Sequence, residues 1–411
     1  MQIKPELLSI LKYAKSNSPF YTERLKDLEL NDHFTLSDFE KIQPTTKDDL
    51  SERNRDFLAV PLTKVAEYVT TSGTSGNPVT VFLTKNDIQR LAKNEQLALQ
   101  NTGANAADVF QLMTTIDRQF MAGLAYYLGV QEIGAGIVRI GPGVPALQWK
   151  SIFENEVTVL IAVPSFIISL IDYAKKHNIN YKTSLVKKII CIGEPIREQN
   201  FELNILGRRI CDDWNVELYS TYASTEMGAA FTECEFMQGG HLNDELLYLE
   251  VLKDDDQQAS DGELGEVVIT SLGVEGTPLI RYRTGDLAVL HSSPCSCGRS
   301  SVRLGPIIGR KNQMIKFKGT TIFPNAIYEV FDNFKEISCY KVEVSKDYLG
   351  NDVITVLLEK EIENSSVFNA IIEACQSKIK VVPHFVFLEL EYLRSQVFKK
   401  NNRKPEKILF K

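Results

Sequence analysis

Three short segments of the chain carry residue types suited to holding a nucleotide, and a fourth set carries metal-ligating side chains. Thr70 to Pro78 reads TTSGTSGNP, crowding hydroxyl residues around Gly73 and Gly76. Glycine lets the backbone approach a phosphate, and hydroxyls and amides donate to its oxygens, although the same composition also makes a plain turn. It is not a Walker A loop, since no lysine follows the second glycine at that spacing. Tyr222 to Glu226, YASTE, places a ring, hydroxyls and a carboxylate after an expected strand, where open α/β sheets bind ligands. The plain alternative is a strand end with a solvated glutamate. Arg281 to Leu287, RYRTGDL, is expected to end a strand in a turn whose Asp286 can accept both hydroxyls of a ribose. Cys234, His241, Cys295 and Cys297 offer three thiolates and an imidazole, a set typical of structural zinc, the alternative being buried thiols beside an ordinary histidine.

The elements that must position these residues are legible in outline. Val157 to Val163 reads as a strand, Ser165 as the cap of a helix carrying Phe166, Ile167, Leu170 and Ile171, and Lys188 to Ile192 as the next strand, a βαβ unit. A helix from about Pro195 to Leu206 and a strand at Val216 to Tyr219 extend it into an α/β layer with a parallel sheet. After Glu226, strands at Leu246 to Leu252, Glu266 to Ser271 and Leu279 to Arg283 alternate with Gly and Asp turns, which predicts a β subdomain. From Ser338 onward, strand, turn, strand, helix (Ser366 to Lys380) and strand (Phe385 to Leu390) predict a small α+β domain. The boundary is placed between residues 311 and 312, in the polar stretch Arg310 to Gln313.

The 411 residues suit two or three domains. A net charge of -7 argues against nucleic acid, because neutralising phosphates needs a basic face. The apolar stretch Val157 to Ile171 is shorter than the roughly 20 residues of a membrane span and contains Pro164. The N-terminus lacks the pattern of a signal peptide, and seven cysteines, mostly scattered singly, do not resemble a disulfide framework. A cytoplasmic protein with small-molecule partners is expected.

The three nucleotide segments, in this order, together with GRKNQMIKFKGTTIFP at Gly309 to Pro324, SPFYTERL at Ser18 to Leu25 and TTKDDL at Thr45 to Leu50, resemble the phenylacetate-CoA ligase family of the adenylate-forming (acyl-CoA synthetase) superfamily. The resemblance covers nearly the whole chain. It implies an α/β fold: a large adenylation domain of α/β layers plus a β subdomain (residues 1–311), and a small mobile α+β lid (residues 312–411). The activity it implies is AMP-forming ligation of a small, aromatic carboxylic acid to coenzyme A, using ATP and Mg²⁺. A carrier-protein pantetheine as acceptor, and a catalytically impaired nucleotide-binding paralogue, are the alternatives. The oligomeric state is left open, a homodimer being one option.

By that resemblance Thr71, Ser72, Gly73, Thr74, Ser75 and Gly76 close over the β and γ phosphates, and Gly193, Glu194 and Pro195 line the adenine site. Tyr222 stacks on the base, Thr225 touches the α phosphate, Glu226 holds Mg²⁺, Asp286 binds ribose and Arg310 contacts ribose or phosphate. Phe120, Ala122 and Gly123 border the acid, and Gly319 belongs to the lid face used in thioester formation. The chain departs from the family in three places. Asp117 and Arg118 precede Phe120 where a Tyr and Gly are common, the hinge position is Asn312, and the catalytic lysine segment reads RSQVFKKNNR at Arg394 to Arg403. Spacing from Arg403 selects Lys400, with Lys399 as its neighbour; the other reading of this tail is a solvated basic surface.

Overall fold

An apolar stripe and proline at the first helical position open the fold: α1 (Pro5–Asn17) buries Leu7, Ile10, Leu11 and Ala14, one face of a 3.6-residue repeat. In α2 (Pro19–Arg24), Phe20 stacks on Phe57 with ring centroids 4.0 Å apart. Two short helices follow, α3 (Leu36–Glu40) and α4 (Lys47–Glu52), each begun by a threonine–aspartate capping box, Thr35 with Asp38 and Thr46 with Asp49. The computed structural model describes residues 2–71, 79–317, 320–348, 350–363, 365–398 and 406–411. The chain divides into two compact units, Met1–Ile307 and Ile308–Lys411, so the division falls just ahead of the polar stretch named above.

In the first unit, an antiparallel hairpin of β1 (Val65–Thr70) and β2 (Thr80–Thr84) brackets the hydroxyl loop. Thr84 then caps α5 (Lys85–Asn101) in a third capping box, with Asp87. The α/β layer is β3 (Val109–Leu112), α6 (Met121–Ile133), β4 (Gly136–Arg139), α7 (Pro145–Glu154), β5 (Val159–Ala162), α8 (Pro164–Lys176), β6 (Lys188–Cys191), α9 (Ile205–Asp213) and β7 (Glu217–Ser224). Its strands pair in parallel in the order β4-β3-β5-β6-β7. All four residues of β5 are wholly buried, as a strand covered on both faces must be.

Two local expectations are corrected here. Ser165 does not cap α8: Pro164 occupies the first helical position, Val163 is the N-cap without a side-chain bond, and Ser165 instead donates to Glu194. The helix expected at Pro195 to Leu206 starts only at Ile205, because Asn204 is the N-cap, its Oδ1 accepting from Gly207 N at 2.9 Å. The stretch before it is pinned as a loop by Arg197. Its guanidinium is buried against Glu233 at 2.6 Å and also donates to the carbonyls of Phe201 and Leu218.

The β region does not stand apart. It consists of β8 (Ala229–Glu233), β9 (Gly240–His241), β10 (Leu247–Leu252), β11 (Leu264–Ser271), β12 (Tyr282–His291) and β13 (Arg303–Leu304). These strands continue the same sheet in the order β10-β11-β12-β13-β9-β8-β7, with β8 antiparallel to β7. The sheet therefore changes from parallel to antiparallel at β7. The TGD segment is not the turn that ends a strand. β12 runs through it, with Gly285 at φ +76 and a register shift opposite Glu266 and Val268 that makes Thr284 to Asp286 a bulge.

The second unit contains β14 (Gly309–Arg310), a hairpin of β15 (Ile315–Phe317) and β16 (Thr320–Ile322), and α10 (Pro324–Asp332). It continues with β17 (Tyr340–Lys346), β18 (Asp352–Glu359), α11 (Ser366–Lys378), β19 (His384–Leu388), α12 (Leu390–Val397) and β20 (Ile408–Phe410). Its sheet has the order β19-β18-β17-β20, and helices α10 and α11 pack Ile327, Val330, Phe331, Ile371 and Cys375 into one core with Val342, Ile354 and Val356. This is the α+β domain that the sequence pattern implied. Among the described residues no helix is long and apolar enough to cross a membrane.

Candidate active site

The end of β7 gathers most of the candidate residues. Tyr222 and Ser224 lie in the strand, and Thr225 and Glu226 follow directly. The Tyr222 hydroxyl donates to Asp286 Oδ2 at 2.8 Å, so the bulge of β12 meets the end of β7. Asp286 is 7% exposed, and its backbone N–H donates to Thr284 Oγ1, which itself donates to the carbonyl of Val267. The bulge is thereby fixed with the carboxylate turned toward Tyr222. Glu226 lies beside two groups that motif reading did not assign: Tyr282 Oη donates to its Oε1 at 3.5 Å, and Lys47 Nζ is 3.7 Å from the same oxygen. Thr225 and Glu226 line a small cavity with Arg90, Met121 and Val274. Arg90 is half-buried and donates to the carbonyls of Leu272 and Gly228; desolvation lowers its pKa to about 10.

Beside β7, the loop after β6 carries Gly193, at φ +74, then Glu194 and Pro195. The Glu194 carboxylate accepts from the Ser165 backbone N–H and hydroxyl, both at 2.9 Å, which ties this loop to the start of α8. Asn204 Nδ2 donates to the Pro195 carbonyl. Gly193, Glu194, Pro195 and Glu226 thus lie beyond the carboxyl ends of the neighbouring parallel strands, and Tyr222 lies near the end of β7 past its parallel pairing with β6, the edge where such sheets bind ligands.

At the base of the hydroxyl loop, Thr71 is buried, and two bonds close it across the loop: Thr71 N to Val79 O, and Val79 N to Thr71 Oγ1. Ser72, Gly73, Thr74, Ser75 and Gly76 lie outside the described residues. Thr70 N donates to the Gln119 carbonyl at 2.9 Å, joining β1 to the turn that carries Arg118 and Phe120. In that turn Arg118 and Gln119 both have positive φ, 58 and 55, a conformation costly for side chains with a Cβ and one that persists where surroundings enforce it. Phe120 is the N-cap of α6, Ala122 packs on the core around Phe110 and Tyr126, and Gly123 is in close backbone contact. A Cβ on Gly123 would stand 1.9 Å from the Thr115 carbonyl oxygen, so only glycine admits this approach. Arg118 is largely exposed and 3.8 Å from Asp117.

Arg310 and Asn312 belong to the second unit, in β14 and in the 3₁₀ turn Lys311–Gln313. Gly319, Lys399, Lys400 and Lys404 lie outside the described residues.

The cysteine–histidine set is brought together. Cys234 follows β8, His241 lies in β9, and Cys295 and Cys297 lie between β12 and β13; β9 pairs with both β8 and β13. The ligand atoms of all four lie within 4.8 Å of one another. Cys234 Sγ is 3.6 Å from Cys295 Sγ, and Cys297 Sγ is 3.5 Å from His241 Nε2. Tetrahedral zinc with Zn–S and Zn–N bonds of ordinary length requires about 3.5–3.8 Å between such ligand atoms, so the donor set fits a zinc ion. His241 Nδ1 is 2.9 Å from Ser301 Oγ, leaving Nε2 toward the sulfurs. Burial, then the charges of Arg299 and Arg303, lower the His241 pKa to about 4 and keep the imidazole neutral, as a ligand must be. Burial raises the Cys234 thiol to about 12. In Cys297 burial acts the same way, but hydrogen bonds from Arg299 outweigh it and lower the pKa.

The phenylacetate-coenzyme A ligase of Thermus thermophilus is 27% identical over 397 residues, covering 91% of this chain and 88% of that protein. The phenylacetate-coenzyme A ligase of Aromatoleum evansii is 29% identical over 357 residues, covering 85% and 79%. Among solved structures, 2-hydroxyisobutyryl-CoA ligase in its postadenylation state superimposes with a TM-score of 0.84 at 19% identity, over 99% of this chain and 88% of that one, which shows the shared fold. Residues 10–276 match the AMP-binding enzyme family, and the chain belongs to that family.

Proposed function

We propose that the chain is an AMP-forming ligase that activates a small aromatic carboxylic acid with ATP and transfers the acyl group to coenzyme A. The observation that supports this reading is the approach of β12 to the carboxyl end of β7, where Tyr222 donates to Asp286 and Tyr282 donates to Glu226 from segments far apart in sequence. In the first half-reaction a carboxylate oxygen of the acid bonds to the α phosphorus of ATP, and the bond from that phosphorus to pyrophosphate breaks. In the second, the coenzyme A sulfur bonds to the acyl carbon and AMP leaves.

Asp286 is suited to accept the ribose hydroxyls, and Tyr222, with its hydroxyl engaged by Asp286, to offer its ring to the base. Gly193, Glu194 and Pro195 border the same edge. Thr225 faces the α phosphate, Glu226 holds Mg²⁺, Arg310 contacts the nucleotide, and Thr71 with the residues to Gly76 receives the terminal phosphates. Mg²⁺, when bound, neutralises charge on the phosphates and orients them. Phe120, Ala122 and Gly123 form the acid side of the site. The second unit acts as the mobile lid, supplying Lys400 for adenylation. Cys234, His241, Cys295 and Cys297 hold one structural zinc, a closed four-ligand shell with no position left for a reacting water.

The test is a library of aromatic and aliphatic acids screened by pyrophosphate–ATP exchange, followed by coenzyme A-dependent thioester formation with the acids that respond. Exchange with aromatic acids supports the reading; release of phosphate rather than pyrophosphate, or turnover without any acid, overturns it. Lys400→Ala is expected to slow exchange by about a hundredfold or more, because a cation helps most while the α phosphate is under attack. It should spare thioester formation from preformed acyl-AMP. An unimpaired Lys400→Ala moves that role to another residue.

A further inference from the structure

Lys47 has no part in the scheme above, yet its Nζ lies 3.7 Å from Glu226 Oε1, with the lysine side chain 33% and the glutamate 11% exposed. The helix it begins has no structural need of it. The Thr46–Asp49 capping box, the burial of Leu50 and the Arg24–Asp49 ion pair at 3.0 Å hold α4 in place. A cation in the first turn of a helix, moreover, opposes the backbone dipole. Two residues earlier, Thr45 is completely buried and sewn to β12 and the residues before it. Its N–H donates to Arg281 O, its carbonyl accepts from Arg283 N, and its hydroxyl donates to Ile280 O. Tyr21 Oη bonds the same hydroxyl at 3.0 Å and accepts from Ile280 N. The segments SPFYTERL and TTKDDL therefore fix the approach to β12, which brings Tyr282 to Glu226 and Asp286 to Tyr222, and they place Lys47 on the carboxylate at the end of β7.

One carboxylate cannot be neutralised at full strength by an ammonium and a divalent cation together, since the two cations repel. Once a divalent cation occupies Glu226, the Lys47 ammonium must seek another anion, and its flexible four-carbon stem lets it move. On the adenylation reading, the anion arriving with that cation is the phosphate chain of ATP. We propose that Lys47 is a second catalytic cation of adenylation. It neutralises Glu226 in the free enzyme, then shifts to the phosphates and stabilises the charge on the α phosphate and the departing pyrophosphate. No proton moves: the ammonium only donates hydrogen bonds while the bond from phosphorus to pyrophosphate breaks. This inference rests on the adenylation reading and assigns that reading an unrecognised residue.

The experiment uses the full chain with Lys47→Met, Lys47→Arg and Glu226→Gln, and Mn²⁺ as the probe, because it takes the same oxygen ligands as Mg²⁺ and is visible by electron paramagnetic resonance. Without nucleotide, Lys47→Met should bind Mn²⁺ roughly two- to fivefold more tightly, the scale of releasing a partly exposed ion pair, and Glu226→Gln should bind it more weakly. In pyrophosphate exchange the same Lys47→Met protein should be slower by about a hundredfold, with Lys47→Arg partly restored, and thioester formation from preformed acyl-AMP should stay near wild type. Tighter metal binding with slower adenylation is a pair of opposite changes that a merely structural lysine cannot produce. Unchanged or weaker Mn²⁺ binding, unchanged exchange, or equal loss of both half-reactions would overturn the role of Lys47. Absence of acid-dependent exchange in the wild type would instead overturn the adenylation reading itself.

Discussion

The Tyr222 hydroxyl donates to Asp286 Oδ2 across 2.8 Å, joining the strand at which the sheet changes from parallel to antiparallel to a bulge in β12. Tyr222→Phe removes that donor and keeps the ring. With Asp286 nearly buried and Tyr222 partly exposed, loss of the bond should cost about 1 kcal/mol of stability and raise the KM for ATP less than about tenfold. Asp286→Ala removes the carboxylate proposed to accept the ribose and should raise the KM for ATP about a hundredfold, the loss of two charge-assisted bonds. Denaturant unfolding and pyrophosphate exchange measure the two effects. An Asp286→Ala enzyme with a wild-type KM for ATP would remove the ribose role.

That relationship also shows which parts of the molecule the amino-acid order revealed. The strand before YASTE, the βαβ unit and the elements after Ser338 follow from periodicity, and all three are present. The bulge at Gly285 was hidden because TGD carries the same turn residues whether a strand ends or detours; only pairing with β11 decides, and that is long-range. The helix expected at Pro195 failed for a similar reason. Local propensity favoured it, but Arg197 is held by Glu233 and the carbonyls of Phe201 and Leu218. Residue type singled out Cys234, His241, Cys295 and Cys297, which the fold brings within 4.8 Å of one another. The Lys47–Glu226 approach was not, because TTKDDL carries no sign of which strand it will meet.

At the proposed acid side of the site, Gly123→Ala places a methyl group 1.9 Å from the Thr115 carbonyl oxygen, a backbone atom that can yield only by moving the 115–120 turn. Stability should fall by about 1–3 kcal/mol, as for other overpacked sites. The KM for the acid should rise while that for ATP changes little. Arg118→Ala serves as the control on the same turn: its side chain is 72% exposed, so stability should stay within about 0.5 kcal/mol. Any altered acid preference then reports a direct contact between Arg118 and the acid, and an unchanged preference removes that role.

Glu95 in α5 is fully buried, and a Cβ on Gly129 of α6 would stand 2.4 Å from the Glu95 Cβ. Burial raises its pKa from 4.5 to about 7 against a smaller opposing bond from Asn94, and Oε2 has no hydrogen-bond partner among the described residues. A raised carboxyl pKa means that the folded state holds the proton more tightly than the unfolded state. Its stabilising contribution is therefore full below about pH 4.5 and is lost as the pH rises to about 7. Glu95→Gln cannot ionise, so it should be more stable than wild type above pH 7 by on the order of 1–3 kcal/mol and show a flatter stability profile between pH 5 and 8. Denaturant unfolding across that range checks it; parallel profiles for the two proteins would mean that Glu95 titrates normally.

The proposed zinc site gives the sharpest test of the β region. Its ligands come from three places in the sheet, after β8, in β9 and between β12 and β13, so a bound ion cross-links segments otherwise joined by the two-residue pairings of β9 and β13. The S–S distance of 3.6 Å and the S–N distance of 3.5 Å already match the edges of a tetrahedral site, so occupancy demands little rearrangement. Protein purified without added metal should contain about one zinc per chain by X-ray fluorescence or native mass spectrometry. Cys234→Ser and Cys295→Ser should each lower that content and the melting temperature together. Ser301→Ala should keep the zinc but bind it about ten- to a hundredfold more weakly, because it removes only the partner of His241 Nδ1. The first residues to lose protection in hydrogen exchange after chelation should be those around Cys297 and β9, ahead of the buried strands β5 and β6. Zinc content near zero in a protein that melts like its cysteine variants would leave the four residues as ordinary buried side chains.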